Sequence, residues 1–214
     1  MNVYLTKPDG SDGRWVWFYT KEDQEHKPLT GNQNVISAYY ARNPLIRIRR
    51  NYEQKQKIRL ELADCSSLGY GDLVLSARAK ECLGPHIDHL GQWVKLEFDE
   101  APYWLFRLTH EVDALDEAAS KLILFRDGNL MEVETFAFRP EAIKDQLFFT
   151  IKQQSGRYLL CIDALMDLVR KHQLTGFKFI PVWSSNTGST MPNHNDPNVW
   201  RTGLEPLTSS ERAV

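Results

Sequence analysis

The stretch RYLLCIDALMDLVRKHQLTGFKFIPV, Arg157–Val182, decides the reading of this chain. Tyr158 to Ile162 is an apolar run of β character, Asp163 stands as a ready N-cap, and Leu165, Leu168 and Val169 recur at helical spacing. Gly176 then stops the helix, and Phe177, Phe179 and Val182 begin a new strand. An earlier stretch, DLVLSARAKECLGPHIDHLGQWVKLEF (Asp72–Phe98), repeats the plan. Leu73 to Leu75 is its strand, Ser76 its cap, and Ala79, Cys82 and Leu83 its buried stripe. Gly84-Pro85 is its stop and Trp93 to Phe98 its exit strand. Placing Ser76 on Asp163 aligns Leu73 with Leu160 and Leu75 with Ile162. Two strand-helix-strand units of this kind are built for packing, with no catalytic side chain at their turns.

Outside these units the text is dominated by strands. Val3 to Leu5 and Trp15 to Tyr19 read as an opening pair joined by the turn-rich Pro8 to Gly13. Lys21 to Asn34 is polar and reads as a loop. Leu45 to Arg49 and Ile58 to Leu62 alternate apolar and charged residues, so each is a half-buried strand with its Arg side chains outward. Tyr103 to Leu108, Lys121 to Phe125, Met131 to Phe138 and Leu147 to Ile151 continue the series. Asp127-Gly128-Asn129 is a hairpin turn, and a phase shift between Val133 and Phe136 predicts a bulge. Arg139 to Lys144 is a short helical turn with Pro140 at its first position. The fold class is therefore α+β, with mixed and antiparallel β-sheets and a few short helices. The divisions fall at a β-rich region over 1–70, an α+β domain over 71–183 and a polar extension over 184–214. In that extension Trp200, Leu204 and Leu207 are the chief apolar anchors.

A chain of 214 residues buries roughly 70% of its extended-chain surface and needs no staples. Its three cysteines, Cys65, Cys82 and Cys161, are odd in number and widely spaced, which suits reduced core thiols. The N-terminus lacks a signal-peptide apolar region, and no run is long enough to span a membrane. A cytoplasmic protein is the expectation. The net charge of −2 hides two opposite runs. Arg42 to Arg59 carries seven cations against Glu53, whereas Glu97, Asp99, Glu100, Glu111, Asp113, Asp116 and Glu117 stand against Arg107 alone. These are either two solvated faces, facing each other, or one of them is a docking surface.

Motifs for chemistry are sparse. His86 and His89 are three apart and would share a helix face, but no further metal ligand accompanies them, and Gly84-Pro85 argues against a helix there. The carboxylates from Glu111 to Glu117 crowd one segment, which suits turn formation better than acid-base work, with Asp116 able to cap the stretch through Ser120. No nucleophile elbow, phosphate loop or dinucleotide fingerprint occurs. Tyr39-Tyr40, Arg42, Arg47 to Arg50 and Tyr52 would suit a single nucleic-acid strand, but no matching fold motif supports them.

Three runs in order, Asp72–Leu83, Val112–Ser120 and Arg157–Trp183 with Leu174-Thr-Gly-Phe-Lys-Phe179, carry a resemblance. Together they are similar to a myxobacterial-type immunity domain of bacterial polymorphic-toxin systems, over Asp72 to Trp183. The resemblance implies a protein that binds and neutralises a cognate toxin in the cytoplasm of its producer, with no turnover, no cofactor and no metal. It implies scaffold roles for Ser76, Asp113, Asp116, Ser120, Thr175 and Gly176, and it attaches catalysis to none of them. Toxin-binding candidates, chosen by charge and exposure, are Glu97, Asp99, Glu100, Glu111, Asp113, Asp116, Glu117 and Trp200. An acidic face suits a basic toxin such as a nuclease. The alternatives are a small enzyme using His86, His89 or the 111–117 carboxylates, and a nucleic-acid module working through Arg42 to Arg59; neither membrane nor nucleic-acid partners are expected.

Overall fold

A computed structural model describes residues 1–10, 15–20, 46–50, 60–68, 73–154, 157–189, 192 and 198–202. In chain order the described strands are β1 (Asn2–Pro8), β2 (Phe18–Thr20), β3 (Ile46–Arg50), β4 (Cys65–Ser66), β5 (Leu73–Ser76), β6 (Gly91–Glu97), β7 (Tyr103–Leu108) and β8 (Glu111–Val112). There follow β9 (Lys121–Leu124), β10 (Leu130–Thr135), β11 (Phe148–Ile151), β12 (Leu160–Ile162), β13 (Phe177–Ser184), β14 (Gly188–Ser189) and β15 (Trp200–Arg201). The helices are α1 (Ala77–Ile87), α2 (Pro140–Ile143) and α3 (Asp163–Lys171). They build two large mixed sheets, ordered β2-β3-β6-β7-β5-β4 and β14-β13-β1-β12-β11-β8, and a separate β9-β10 hairpin, with β15 beside β13. The fold is α+β, as the periodicities require.

The two repeated units are real, and their topology is the same. In the first, β5 and β6 both run antiparallel to β7, which lies between them; in the second, β12 and β13 both run antiparallel to β1. Each unit is thus a strand-helix-strand crossover with a foreign strand inserted. The inserted strand comes from just downstream in one case and from the N-terminus in the other. This corrects the expected pairing of Val3–Leu5 with Trp15–Tyr19: β1 lies between β12 and β13, and β2 pairs with β3 in the other sheet. The reason is burial on both faces. Val3 and Leu5 enter one core and Tyr4 the other, and a strand apolar on both sides belongs in a sheet interior. Lys21 to Asn34, Ile58, Leu204 and Leu207 lie outside the described residues.

The central core joins both units. Leu73, Leu75, Phe106 and Leu108 from one sheet meet Tyr4, Cys161, Phe177 and Phe179 from the other, with Ala79, Leu83 and Ile87 of α1 and Leu165, Met166 and Val169 of α3 among them. Phe106 stacks on Phe148 with ring centroids 6.1 Å apart. Two further clusters cover the outer faces of the two sheets, one around Phe18, Ile46, Leu96 and Leu105, the other around Val3, Phe136, Phe149 and Val182. Burial of the Cys161 thiol pushes its pKa up to about 12, so it remains a protonated core group.

Local signals fared unevenly. Ser76 caps α1, its Oγ accepting the Ala79 amide at 3.1 Å. The helix then runs through Gly84-Pro85 to Ile87, where a stop was expected. Proline removes the hydrogen bond to the exposed Glu81 carbonyl, which water can satisfy, and burial of Leu83 and Ile87 on the same face holds the last turn. Asp163 is the first residue of α3, not its cap. Its carboxylate accepts the Asn2 amide (2.8 Å), Asn2 Nδ2 (2.9 Å) and Tyr4 Oη (3.0 Å), clamping the N-terminal strand onto the second unit. Helix α3 ends at Lys171, and Gln173 takes a positive φ of 50° before Gly176 is reached. The 127–129 turn, with Gly128 at φ 84°, the register shift between Val133 and Thr135, and the Pro140 turn all form as the sequence predicts.

Gly176 has φ 77°, and a Cβ there would lie 2.2 Å from the Cys65 carbonyl oxygen. Gly176→Ala is expected to destabilise the protein by at least ~2 kcal/mol, read from a lowered urea midpoint. Burial raises the Asp163 carboxyl, but the donors from Asn2 and Tyr4 outweigh it and hold the group below the usual carboxylate range. Its stabilising contribution is then complete above the unfolded value, about 4, and is lost as pH falls through the folded one. Asp163→Asn is expected to be less stable than the wild type at pH 7 and to lose less further stability between pH 5 and pH 3, measured by urea unfolding.

Candidate functional site

Asp64, which the sequence reading passed over, is the polar centre of the molecule. It is 8% exposed. Its carboxylate accepts Ser76 Oγ at 2.7 Å, Arg78 Nη1 at 3.1 Å, the Thr175 amide at 3.0 Å and Thr175 Oγ1 at 3.2 Å. Its own amide donates to Thr175 Oγ1 at 3.0 Å, and Arg78 also donates to the carbonyls of His172 (2.5 Å) and Gln173 (3.4 Å) behind α3. Three of the expected scaffold residues, Ser76, Thr175 and Gly176, therefore meet here and tie the turn entering α1 to the turn leaving α3. The carboxylate is fully engaged in holding structure. Its neighbours Ala63 and Cys65 are both buried, which the fold shows and no sequence motif announces.

Asp113, Asp116 and Ser120 form a second knot. Leu115 bridges Phe138, the Asp116 amide donates to the Ala137 carbonyl at 2.9 Å, and Ser120 Oγ accepts the Ala137 amide at 2.9 Å. Asp116 Oδ1 accepts the amides of Ala118 and Ala119, both at 3.1 Å, which closes the turn through Ser120. Exposed Asp113 pairs with Arg139 at 2.7 Å, and hydrogen bonding and charge from that guanidinium hold its carboxyl below the usual range. Glu117 accepts Gln153 Nε2 at 2.8 Å. An open groove of about 520 Å³ lies between these groups, lined by Asp113, Leu115, Glu117, Arg139, Lys152 and Gln153.

The acidic run is divided by the fold. Parallel pairing of β3 with β6 sets Arg47 beside Glu97, with Nε to Oε2 at 2.8 Å, and Arg50 grips Glu100 with two contacts of 2.5 Å. The oppositely charged runs face each other here. Asp99 is exposed next to these pairs. Glu111 sits on β8, beside β11, at the head of the other group of acids. Trp200 stacks on Phe179 at 5.4 Å with the Arg170 guanidinium 4.4 Å above its ring, so its own chain occupies it. The candidates thus do not form one surface: Glu97, Asp99 and Glu100 lie at and beyond the C-terminal end of the interior strand β6, whereas Asp113 and Glu117 line the groove with Glu111 and Asp116 on the same segment.

His86 lies within α1, contrary to the expectation from Gly84-Pro85, and His89 in the following 3-10 turn. Among the described residues, no three His, Cys, Asp or Glu side chains are placed to hold a metal ion. No described helix is long and apolar enough to cross a membrane.

The two ion pairs made by β3 differ in burial. The Arg50 side chain is 8% exposed and also donates to the Leu60 carbonyl at 2.7 Å, whereas Arg47 and Glu97 are 54% and 44% exposed. Removing the partner of a buried charge is costly, and breaking a solvated pair is not. Glu100→Ala is expected to lower stability by about 1–3 kcal/mol and Glu97→Ala by less than about 0.5 kcal/mol, compared by thermal or urea unfolding.

No curated protein sequence matches this chain. A family model described as "Immunity protein family (Imm11)" matches residues 19–184, well over half of it. That span takes in both crossover units, the Asp64 centre and the groove at 111–117, and the chain belongs to the Imm11 immunity protein family.

Proposed function

We propose that this protein neutralises a cognate toxin domain in the cytoplasm of the producing bacterium, by tight one-to-one binding that covers a surface the toxin needs. Membership of an immunity protein family is the observation that carries this reading. The polar residues shared with the resemblance agree with it. Ser76, Asp113, Asp116, Ser120, Thr175 and Gly176 sit in turns and knots that fix two preformed faces, and each of the five polar side chains makes at least one hydrogen bond within the chain. Protection against a catalytic toxin leaves almost no free toxin, which requires nanomolar affinity, about −12 kcal/mol, and an interface on the order of 1,600 Å². Such binding needs no covalent step.

The competing readings draw less support. His86 and His89 gather no third ligand among the described residues. Arg47 and Arg50 are paired with Glu97 and Glu100, which removes two cations from the set a nucleic-acid strand would need.

Co-expression with the toxin encoded by the adjacent reading frame is expected to restore growth, and the two proteins to co-purify at 1:1 with a nanomolar Kd. No rescue together with no co-purification rejects the proposal.

A further inference from the structure

Four of the six large apolar side chains that are exposed among the described residues lie within nine positions of one another: Ile123 (37%), Leu124 (54%), Phe125 (52%) and Met131 (41%). Single exposed apolar residues need no explanation, but a cluster on one element marks a contact surface. All four belong to the β9-β10 hairpin, and no third strand pairs with it among the described residues.

A two-stranded hairpin is barely stable alone, so its anchoring matters. Val133 is buried, and Leu122 and Leu130 pack partly buried against the outer core. The strand β10 is tied to the body through its backbone. Tyr158 Oη accepts the Val133 amide at 3.0 Å, Gln154 Nε2 donates to the carbonyls of Leu130 (2.8 Å) and Met131 (3.0 Å), and Arg157 donates to the Met131 carbonyl as well. The tip is fixed by Gly128 at φ 84° and by Asp127 accepting from Asn129. The hairpin is therefore held rigid with its apolar residues outward, an arrangement that lowers the ordering cost of binding.

Charge identifies the occupant. From Glu111 to Glu134 the chain carries seven carboxylates against Lys121 and Arg126, with Arg139, Lys152 and Arg157 packed beside that segment. Asp113 is paired with Arg139 and Glu134 with Lys121, while Asp127 and Glu132 make no ion pair among the described residues. The groove itself is charge-balanced, with Asp113 and Glu117 against Arg139 and Lys152, so the acids that border the apolar residues are Asp127 and Glu132 of the hairpin; the 3-10 turn at Lys152–Gln154 links the two parts, with Gln153 on Glu117 and Gln154 on the hairpin. We infer that the β9-β10 hairpin is the docking element for the toxin, and that it takes a polypeptide surface with an apolar patch inside a basic rim. This rests on the immunity reading and goes beyond it by naming the face and the chemistry of its partner.

The test uses the full chain and a catalytically inactive form of the toxin domain encoded by the adjacent reading frame. Leu124→Asp combined with Phe125→Asp is expected to weaken Kd at least a hundredfold, mainly through faster dissociation, with an unchanged melting temperature. Asp127→Lys with Glu132→Lys is expected to slow association at low salt and flatten its salt dependence. Glu81→Lys, on the exposed face of α1, is expected to leave Kd as it was. Should the double aspartate variant melt lower, Leu124→Ser supplies the same comparison, with at least a tenfold loss expected. Wild-type binding that the hairpin variants leave within twofold overturns the inference while the immunity reading stands. Absence of binding by the wild type removes both. A wild-type dimer in sedimentation that the double variant dissociates assigns the hairpin to a second copy of this chain, and overturns the inference too.

Discussion

The buried Asp64 carboxylate is the constraint on which the remaining structure depends. It brings together the cap of α1, the side chain of Arg78 and the Thr175 turn behind α3, so that two crossover units far apart in the sequence are set at one geometry. A charge this deep is tolerated because every donor around it is aimed inward. Hydrophobic matching alone lets two sheets slide; four directed contacts on one group do not. The adjacent close approach of Gly176 to the Cys65 carbonyl has the same effect by sterics, leaving no room for a side chain at the seam.

Charge distribution along a sequence and charge distribution on a surface are different quantities here. The acidic run from Glu97 to Glu117 is divided by β7, and its first part meets the cations of β3, Glu97 by strand register and Glu100 from the bend beyond β6. Asp99 stays exposed beside those pairs, and the acids from Glu111 to Glu117 are carried to the groove. Electrostatic steering of a partner is set by that residual pattern and not by the composition of any segment.

Legibility followed the range of the interactions involved. Ser76 as a cap, the Asp127–Asn129 turn, Pro140 at a helix start and the bulge after Val133 are each set by a few neighbouring residues, and the residue types announced them. The two crossover units were visible because helix and strand periodicities alternate over short distances. What escaped was decided by distant partners. The register of β1 depends on residues around 160 and 180, Asp163 was claimed by Asn2 and Tyr4 instead of its own helix, and Pro85 was tolerated because Leu83 and Ile87 found a core. Asp64 looked like an ordinary loop acid until the Thr175 turn arrived beside it. Charge along the sequence points to the whole 97–117 run as a docking face, and the apolar β9-β10 hairpin reads there only as two strands, since periodicity gives the face of a strand and not which face is left uncovered.

The insertion of β1 between β12 and β13 has a consequence for how the cell makes the protein. Val3 meets Ile162 and Trp183, a separation on the order of 160 residues, so the first strand leaves the ribosome on the order of ten seconds or more before its neighbours exist. Until then an apolar segment with two open edges is in search of a partner, and holding it from premature aggregation becomes a task for chaperones. Translation must run nearly to the end of the described residues before the second sheet can close, which places a fixed delay between message and shield.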